Sequence, residues 1–309
     1  MRVSTYPGKI IGTGKLRPTR VNWTPVILIG PSLILFAVLL LFPILRGLML
    51  SFCDAALLTP PGAEEFVGLR NYARLFSDPA FWSSLRVTVI YTFWVVIGAY
   101  VIGLATALLL HPRFCGRTIF RLLTFLPWAV PEVVAVLVWR WMLDYQYGVV
   151  NFFLRTLGVI SANQGWLTVP QLALPAVIAV TVWKQFPLAT LMLLAGLQAI
   201  PEHLYEAARI DGANRYQEFW HVTLPGLRPV NIVLVLLMVL YSFKRVTLVY
   251  VLTGGGPAAA TETLSIQTYL QAFKFFQVGY GSAIGSSMFL LMLAFTIAYF
   301  IVLSRRGEE

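Results

Sequence analysis

The sequence predicts an all-α membrane protein with six transmembrane helices. Of its 309 residues, 58% are hydrophobic and only 12% are charged, whereas a soluble domain carries about 25% charged residues. Uncharged apolar runs of about 20 residues, the length that crosses a bilayer, recur along the chain. The polar stretch at residues 201–225 separates two of these runs and must therefore lie outside the lipid.

Six runs have the length and composition of a membrane-crossing helix. They cover residues 25–46, 86–110, 120–142, 172–198, 229–252 and 282–303. The first run is too long for the apolar part of a cleaved signal peptide, and no small-residue cleavage site follows it. We therefore expect a basic tail at residues 1–24 and one six-helix transmembrane domain at residues 25–309, with a cytoplasmic loop at residues 199–228.

Lysine and arginine are distributed unevenly between the connections. Most lie in the N-terminal tail, between the second and third runs, in the polar stretch and at the C-terminus, whereas the alternate connections carry only Arg70, Arg74, Arg155 and Lys274. Because cytoplasmic loops are enriched in Lys and Arg, both termini are predicted to be cytoplasmic. The net charge of +10 is thus a membrane feature, and no basic folded surface indicates nucleic-acid binding.

Two other kinds of site are not expected. The segment Gly8–Leu16 looks faintly like a phosphate-binding loop, but Leu16 stands where Ser or Thr should bind magnesium, and no strand precedes it. Cys53 and Cys115 are predicted on opposite sides of the bilayer, too far apart for a disulfide. We expect no nucleotide, metal or other cofactor bound by this chain itself.

The polar stretch has the local pattern of two short helices. Pro201 suits a first helical turn, and Asp211-Gly212 is a stop, since glycine accepts the left-handed conformation common after a helix C-terminus. A second helix is predicted from Tyr216 to Val222, ended by Leu224-Pro225.

The spacing within this stretch resembles the EAA signature of the permease subunits of binding-protein-dependent ABC importers. Val222 stands where that signature usually has isoleucine. The resemblance rests on Glu206, Ala207, Ala208, Gly212, Val222, Leu224 and Pro225.

Other segments resemble the same family. Phe66–Tyr72 and Asp78–Trp82 are similar to the first outer loop of the maltose-type sugar permeases, and Leu252–Pro257 with Gly279–Ala283 is similar to the loop before their last span. The resemblance is to the MalF-like, carbohydrate-uptake branch. It implies a MetI-like core in spans two to six and a place in the bacterial inner membrane.

The resemblance also implies partners and a mechanism. The partners are a second, related permease, two cytoplasmic ATPase subunits that bind ATP and Mg²⁺, and an extracytoplasmic sugar-binding protein. The polar stretch docks in a cleft of the ATPase, and ATP-driven closure moves the attached spans. Glu206 faces a basic partner residue, and Gly212 turns the chain; the implied coupling residues are Glu206, Ala207, Ala208, Gly212, Leu224 and Pro225.

Four ionisable residues fall at membrane depth, where such groups are costly and often functional. At about 1.5 Å per residue, Lys184 and Arg245 both lie about 24 Å from the inner boundary, and Glu132 lies lower, at about 16 Å. Together with Lys244, they either line a water-filled path, or they have a structural role in which they satisfy one another or snorkel to the outer interface.

In the maltose-type family, the substrate pocket is built from the spans on either side of the EAA loop. The matching positions here are Thr181, Trp183, Lys184, Gln185, Leu188, Tyr241, Ser242 and Arg245. Their amide, hydroxyl and aromatic groups suit a di- or oligosaccharide. The two basic residues leave an anionic or phosphorylated substrate, such as a glycerol phosphate, as the alternative. Pro187 is expected to interrupt its helix and free a carbonyl group there.

Two other function classes fit less well. A membrane enzyme would need a convergent set of acids, histidines or cysteines, but His111, His203 and His221 are spread over two loops, and no HExxH motif exists. An ion channel or secondary transporter could use Glu132 and Lys184 as an ion couple, but it would leave the EAA-like stretch without a role.

Overall fold

A computed structural model describes residues 24–305, except for residues 59 and 61. The predicted basic tail, including the segment that looks like a phosphate loop, lies outside the described residues. The chain divides into two compact units, Met1–Arg46 and Gly47–Glu309. The described part of the first unit is helical: α1, Thr24–Phe36, leads through a π-turn, Ala37–Leu41, into α2, Phe42–Leu50, whose last residues belong to the second unit.

The second unit is an array of helices with a two-stranded hairpin. Strands β1, Cys53–Asp54, and β2, Glu65–Phe66, pair antiparallel. The helices that follow are α3, Arg70–Ser77; α4, Pro79–Leu110; α5, Arg117–Ala129; α6, Glu132–Met142; α7, Val149–Thr156; α8, Pro170–Ala199; α9, Glu202–Ile210; α10, Arg215–Glu218; α11, Leu224–Gly226; α12, Arg228–Phe243; α13, Thr247–Thr253; α14, Leu264–Tyr269; and α15, Val278–Arg305. Further π-turns lie at Phe219–Thr223 and Leu270–Lys274.

The predicted membrane class and helical fold are confirmed. Four described helical segments are long and apolar enough to cross a membrane: Leu28–Leu50, Pro79–Leu110, Pro170–Ala199 and Val278–Leu303. Two bent pairs bring the number to six if each pair is one span. These pairs are α5 with α6, bent by 94°, and the Arg215–Gly226 segment with α12, bent by 67°.

The third predicted run, 120–142, is not one straight helix. It breaks between Ala129 and Glu132, where Val130 and Pro131 are extended. Pro131 has no backbone N–H, so the carbonyl of Pro127, four residues earlier, has no helical donor. The helix therefore ends inside the run, and its last carbonyls need other partners.

Three other expectations are corrected. The fifth run, 229–252, breaks after Phe243, and a new helix begins at Thr247. Pro187 does not interrupt α8, which continues from Pro170 to Ala199, because a membrane helix tolerates proline where its neighbours satisfy the backbone. Leu224-Pro225 does not end its helix either. The helical segment passes through a π-turn at Phe219–Thr223 and continues to Gly226.

Helices α4 and α8 pack closely at the centre of the second unit. Ala99, Gly103 and Ala107 recur every four residues on α4 and are buried, so they form a stripe that lets two helix backbones approach. A Cβ atom at Gly103 would lie 2.6 Å from the Ala189 Cβ of α8. These small side chains fix the position of α8, which carries most of the predicted path residues.

The connection between α2 and α4 contains the short helix α3. Asp78 follows it and caps α4 by accepting a hydrogen bond from the Ala80 N–H over 2.9 Å. Tyr280 of α15 donates to the same Asp78 carboxylate over 2.7 Å. Cys53 and Cys115 are free thiols.

The predicted stop in the polar stretch is confirmed. Helix α9 ends at Ile210, and Gly212 has a φ of +81°, in the left-handed region. The second helix starts at Arg215 and is capped by Asn214, whose side chain forms a reciprocal capping box with Gln217. The two helices thus form a hairpin that leads into α12.

Candidate functional site

A cavity of about 470 Å³ lies beside the break between α5 and α6. It is bounded by three parts of the chain that are far apart in sequence: the broken third span, the middle of α8 and the end of α12. Its lining residues are Trp128, Ala129, Val130, Pro131, Glu132, Lys184, Gln185, Leu188, Tyr241 and Arg245.

Lys184 caps the broken helix from across the cavity. Its Nζ donates to the Pro127 carbonyl over 2.8 Å and to the Trp128 carbonyl over 3.3 Å, and it also donates to the carbonyl of Val130. The Pro127 carbonyl is the one that Pro131 leaves without a donor. The Lys184 side chain is buried. Its ammonium group supplies the hydrogen bonds that these backbone carbonyls lack.

Arg245 joins the other two walls of the cavity. Its Nη1 donates to Glu132 Oε1 over 2.8 Å, and its Nη2 donates to Gln185 Oε1 over 3.3 Å. Ser242 donates to the same Gln185 oxygen over 3.4 Å. Arg245 and Glu132 side chains are 14% and 34% exposed, so the pair is partly shielded from solvent.

The structure brings together most of the predicted path residues. Lys184, Gln185, Leu188, Tyr241 and Arg245 line the cavity. The other three lie outside its lining.

Each of those three has another environment. Thr181 is fully buried, with its hydroxyl 3.1 Å from that of Tyr91. Trp183 packs edge-on against Trp139. Ser242 is buried and touches the cavity only through Gln185.

Lys184 and Arg245 combine features of both alternatives. Both line the cavity, and both donate to protein groups, Lys184 to backbone carbonyls and Arg245 to Glu132 and Gln185. Lys244 instead lies over the ring of Tyr241, 5.2 Å from its centroid. The side chains of Glu132 and Arg245 meet, although counting along straight helices predicts that Glu132 lies lower. The third span itself is not straight, since α5 and α6 are bent by 94°.

The wall formed by Trp128–Pro131 is not among the predicted path residues, whereas Glu132 is a candidate from its charge at membrane depth. A signal for it exists: Pro127 and Pro131 stand four apart within one apolar run. Broken membrane helices commonly mark binding sites near the middle of the bilayer. With that rule, the break itself could have been added to the predicted path.

The cavity has the chemistry for a small molecule with many hydroxyl groups. Trp128 and Tyr241 present exposed aromatic rings, onto which an apolar face can pack. The Glu132 carboxylate and the Gln185 amide supply acceptors and donors around them. Among residues 24–305 without 59 and 61, no group of three or more His, Cys, Asp or Glu could hold a metal ion.

The hairpin of α9 and α10 is a second candidate surface. Glu206 and Ala207 are exposed and Ala208 is half-buried, while Leu204 and Ile210 expose apolar side chains on the same helix. A shallow pocket of about 290 Å³ lies inside the turn, lined by Ala208, Asp211, Gly212, Ala213, Gln217 and His221. An exposed helix with a mixed apolar and acidic surface is suited to contact with another protein.

Comparisons with known proteins agree with this architecture. The family described as "Binding-protein-dependent transport system inner membrane component" matches residues 99–307. A trehalose/maltose transport system permease of Thermococcus litoralis is 41% identical over 276 residues, 88% of this chain and 91% of that protein. A sulfoquinovosyl glycerol transport system permease of Agrobacterium fabrum is 37% identical, over 89% of this chain and 88% of that protein.

Solved structures share the fold at low sequence identity. A chain of a bacterial alginate ABC transporter, crystallised with a periplasmic protein that holds an alginate pentasaccharide, superposes with a TM-score of 0.78. It is 20% identical, and the match covers 90% of this chain and 92% of that one. At this identity, the likeness speaks for the fold alone.

Proposed function

This chain belongs to the family of binding-protein-dependent transport system inner membrane components, and we propose that it forms half of the membrane pathway of an ATP-driven carbohydrate importer. It is a multi-pass membrane protein and a transport component, not an enzyme. The observation that carries the proposal is the cavity at the broken third span, which unites polar and aromatic side chains at the expected path positions.

The expected substrate is a di- or oligosaccharide. The relative from Thermococcus litoralis is named for trehalose and maltose, and the aromatic rings of Trp128 and Tyr241 suit the faces of sugar rings. The two cavity cations have protein partners: Lys184 is engaged by carbonyls and Arg245 by Glu132. Binding a full anionic charge would require one of these contacts to be exchanged.

One observation favours the alternative, an anionic or phosphorylated substrate. Lys184 and Arg245 outnumber the single carboxylate in the cavity lining, and the Arg245 Nε is buried without a hydrogen-bond partner. An anion that reached this nitrogen would satisfy it and compete with Glu132 for the guanidinium group.

The proposed coupling uses the α9 hairpin. Glu206, Ala207, Ala208 and Gly212 form the side of the hairpin that meets one of two cytoplasmic ATPase subunits, which bind ATP and Mg²⁺. Leu224 and Pro225 lead the chain into α12. Both termini and the hairpin are cytoplasmic in this arrangement, and the second permease and a binding protein complete the importer.

The test is ATP hydrolysis by the reconstituted complex of both permeases, the ATPase and the binding protein. We expect stimulation by a neutral di- or oligosaccharide. Stimulation by sugar phosphates or acidic compounds alone would select the alternative substrate class. If no carbohydrate or anionic derivative raised ATP hydrolysis or drove uptake, the proposed function would be wrong.

A further inference from the structure

Two side-chain links join the helices of the α9 hairpin in addition to the chain itself. At the end of α9, Arg209 Nε donates to Glu218 Oε1 over 2.8 Å. One turn earlier, the Tyr205 and Thr223 hydroxyl oxygens lie 3.1 Å apart. Because residues four apart share a helix face, both links leave α9 on the same side.

The π-turn at Phe219–Thr223 brings the two partners on the second helix into register. In an α-helix of 3.6 residues per turn, residues five apart point about 140° away from each other. A π-turn, whose hydrogen bonds join residues five apart, places them one above the other. The Thr223 hydroxyl accordingly lies 3.4 Å from the Glu218 carbonyl, to which it donates.

The partners on the second helix are shielded from water. Thr223 is 5% exposed, and the Glu218 side chain is 14% exposed, although Arg209 itself is largely exposed. The hydrogen bond and charge of Glu218 raise the pKa of Arg209, so the guanidinium group stays charged. A geometrically fixed pair of this kind holds its partners better than a flexible surface pair.

We infer that α9 and the Arg215–Gly226 segment move as one rigid body, with Tyr205, Thr223, Arg209 and Glu218 as positioning residues for energy coupling. The body ends where the chain bends by 67° into α12, and α12 ends at the cavity. A displacement of α9 is therefore delivered to the cavity instead of being absorbed inside the hairpin. This inference rests on the proposed function and assigns the part that transmits the motion.

Charge exchange tests the inference in the reconstituted complex. Arg209→Glu and Glu218→Arg are each expected to keep the ATPase bound and hydrolysing ATP. Transport per ATP should fall about fivefold, because α9 then loses one of its two side-chain links to the segment that leads into α12. The double variant restores the pair with its polarity reversed and should recover most of the ratio. The substrate is radiolabelled maltose, or the sugar that the screen selects in its place.

One control variant and one test of the second link accompany the charge exchange. Arg215→Glu reverses a charge in the same hairpin away from the ion pair and should leave the ratio unchanged. Tyr205→Phe and Thr223→Val each remove the second link, and their effects on the ratio should be less than additive when combined, because both break the contact between the two hydroxyl groups.

Three outcomes would overturn the inference. These are normal coupling in both single charge variants, failure of the double variant to recover, or an equal loss in Arg215→Glu. Failure of the proposed function is recognised separately, because then the wild-type complex itself would show no ATP-driven uptake.

Discussion

Arg245 and Glu132 form an ion pair across the cavity, with Nη1 2.8 Å from Oε1, although 113 residues separate them in sequence. The pair ties the N-terminus of α6 to the residues that follow α12. The same two parts of the chain also meet where α6 packs against α13, with Arg140 Nη1 donating to the Val251 carbonyl over 3.4 Å. The ion pair adds a charged contact between them at the cavity.

Removing one partner of this pair should destabilise the protein. Glu132→Ala leaves the Arg245 guanidinium partly buried without its counter-charge, at an expected cost of about 1–3 kcal/mol. The readout is thermal unfolding in detergent, followed by tryptophan fluorescence. Glu132→Ala with Arg245→Met should recover much of the loss, because removing both partners leaves no unpaired charge.

The exposed pair of Arg70 and Asp54 is the matched control, with side chains 63% and 61% exposed. Because solvent screens such a pair, Asp54→Ala should change stability by about 0–1 kcal/mol. An equal effect of Asp54→Ala and Glu132→Ala would contradict the shielded role of the cavity pair.

Lys184→Ala should lower transport and stability together. The substitution leaves the carbonyls of Pro127, Trp128 and Val130 without their donor, at about 1–3 kcal/mol for a buried unsatisfied group. Uptake by the reconstituted complex should fall severalfold, while substrate capture by the binding protein stays unchanged. Lys274→Ala, at an exposed position outside this cavity, is the control and should behave as wild type. Unchanged thermal unfolding of Lys184→Ala would refute the capping role, and normal uptake would leave Lys184 with a structural role alone.

Glu206→Lys should abolish association with the ATPase without affecting membrane insertion. Glu206 is exposed on α9, so the substitution disturbs no packing and acts by reversing the charge that meets the partner. Co-purification of the ATPase with the permease measures this directly. Glu202→Lys, one turn earlier on the same helix, reverses the same charge and should retain most of the association. A Glu206→Lys complex that assembles and transports normally would end the docking proposal.

Gly103→Ala should separate α4 from α8. The new methyl group would lie 2.6 Å from the Ala189 Cβ and 3.1 Å from the Thr190 backbone nitrogen, and backbone cannot move aside as a side chain can. We expect a loss of about 1–3 kcal/mol, measured by thermal unfolding. Gly47→Ala meets nothing within 4 Å and should be neutral or slightly stabilising; equal behaviour of the two variants would argue against close packing at Gly103.

Local features of the sequence were sufficient for the spans and for the hairpin. Apolar length depends only on neighbouring residues, so the six runs were found even where their helices break. The stop at Gly212 was also local, because its left-handed conformation needs a glycine and nothing from elsewhere in the chain.

The break in the third span does not follow from the neighbouring residues alone. Its two prolines were visible in the sequence, but hydropathy treats a straight helix and a broken one alike. Whether the helix breaks depends on a partner for the freed carbonyls, and that partner, Lys184, comes from α8.

The sequence by itself determined the membrane class, the number of apolar runs and the hairpin between the fourth and fifth runs. The tertiary structure alone decided that Glu132 pairs with Arg245, that Lys184 caps a broken helix, and that Thr181, Trp183 and Ser242 stand outside the cavity. The physical reason is the distance in sequence over which the residues interact. Spans and turns follow from the free energies of adjacent residues. Partners for a charge at membrane depth are set by which helices approach closely enough to satisfy it.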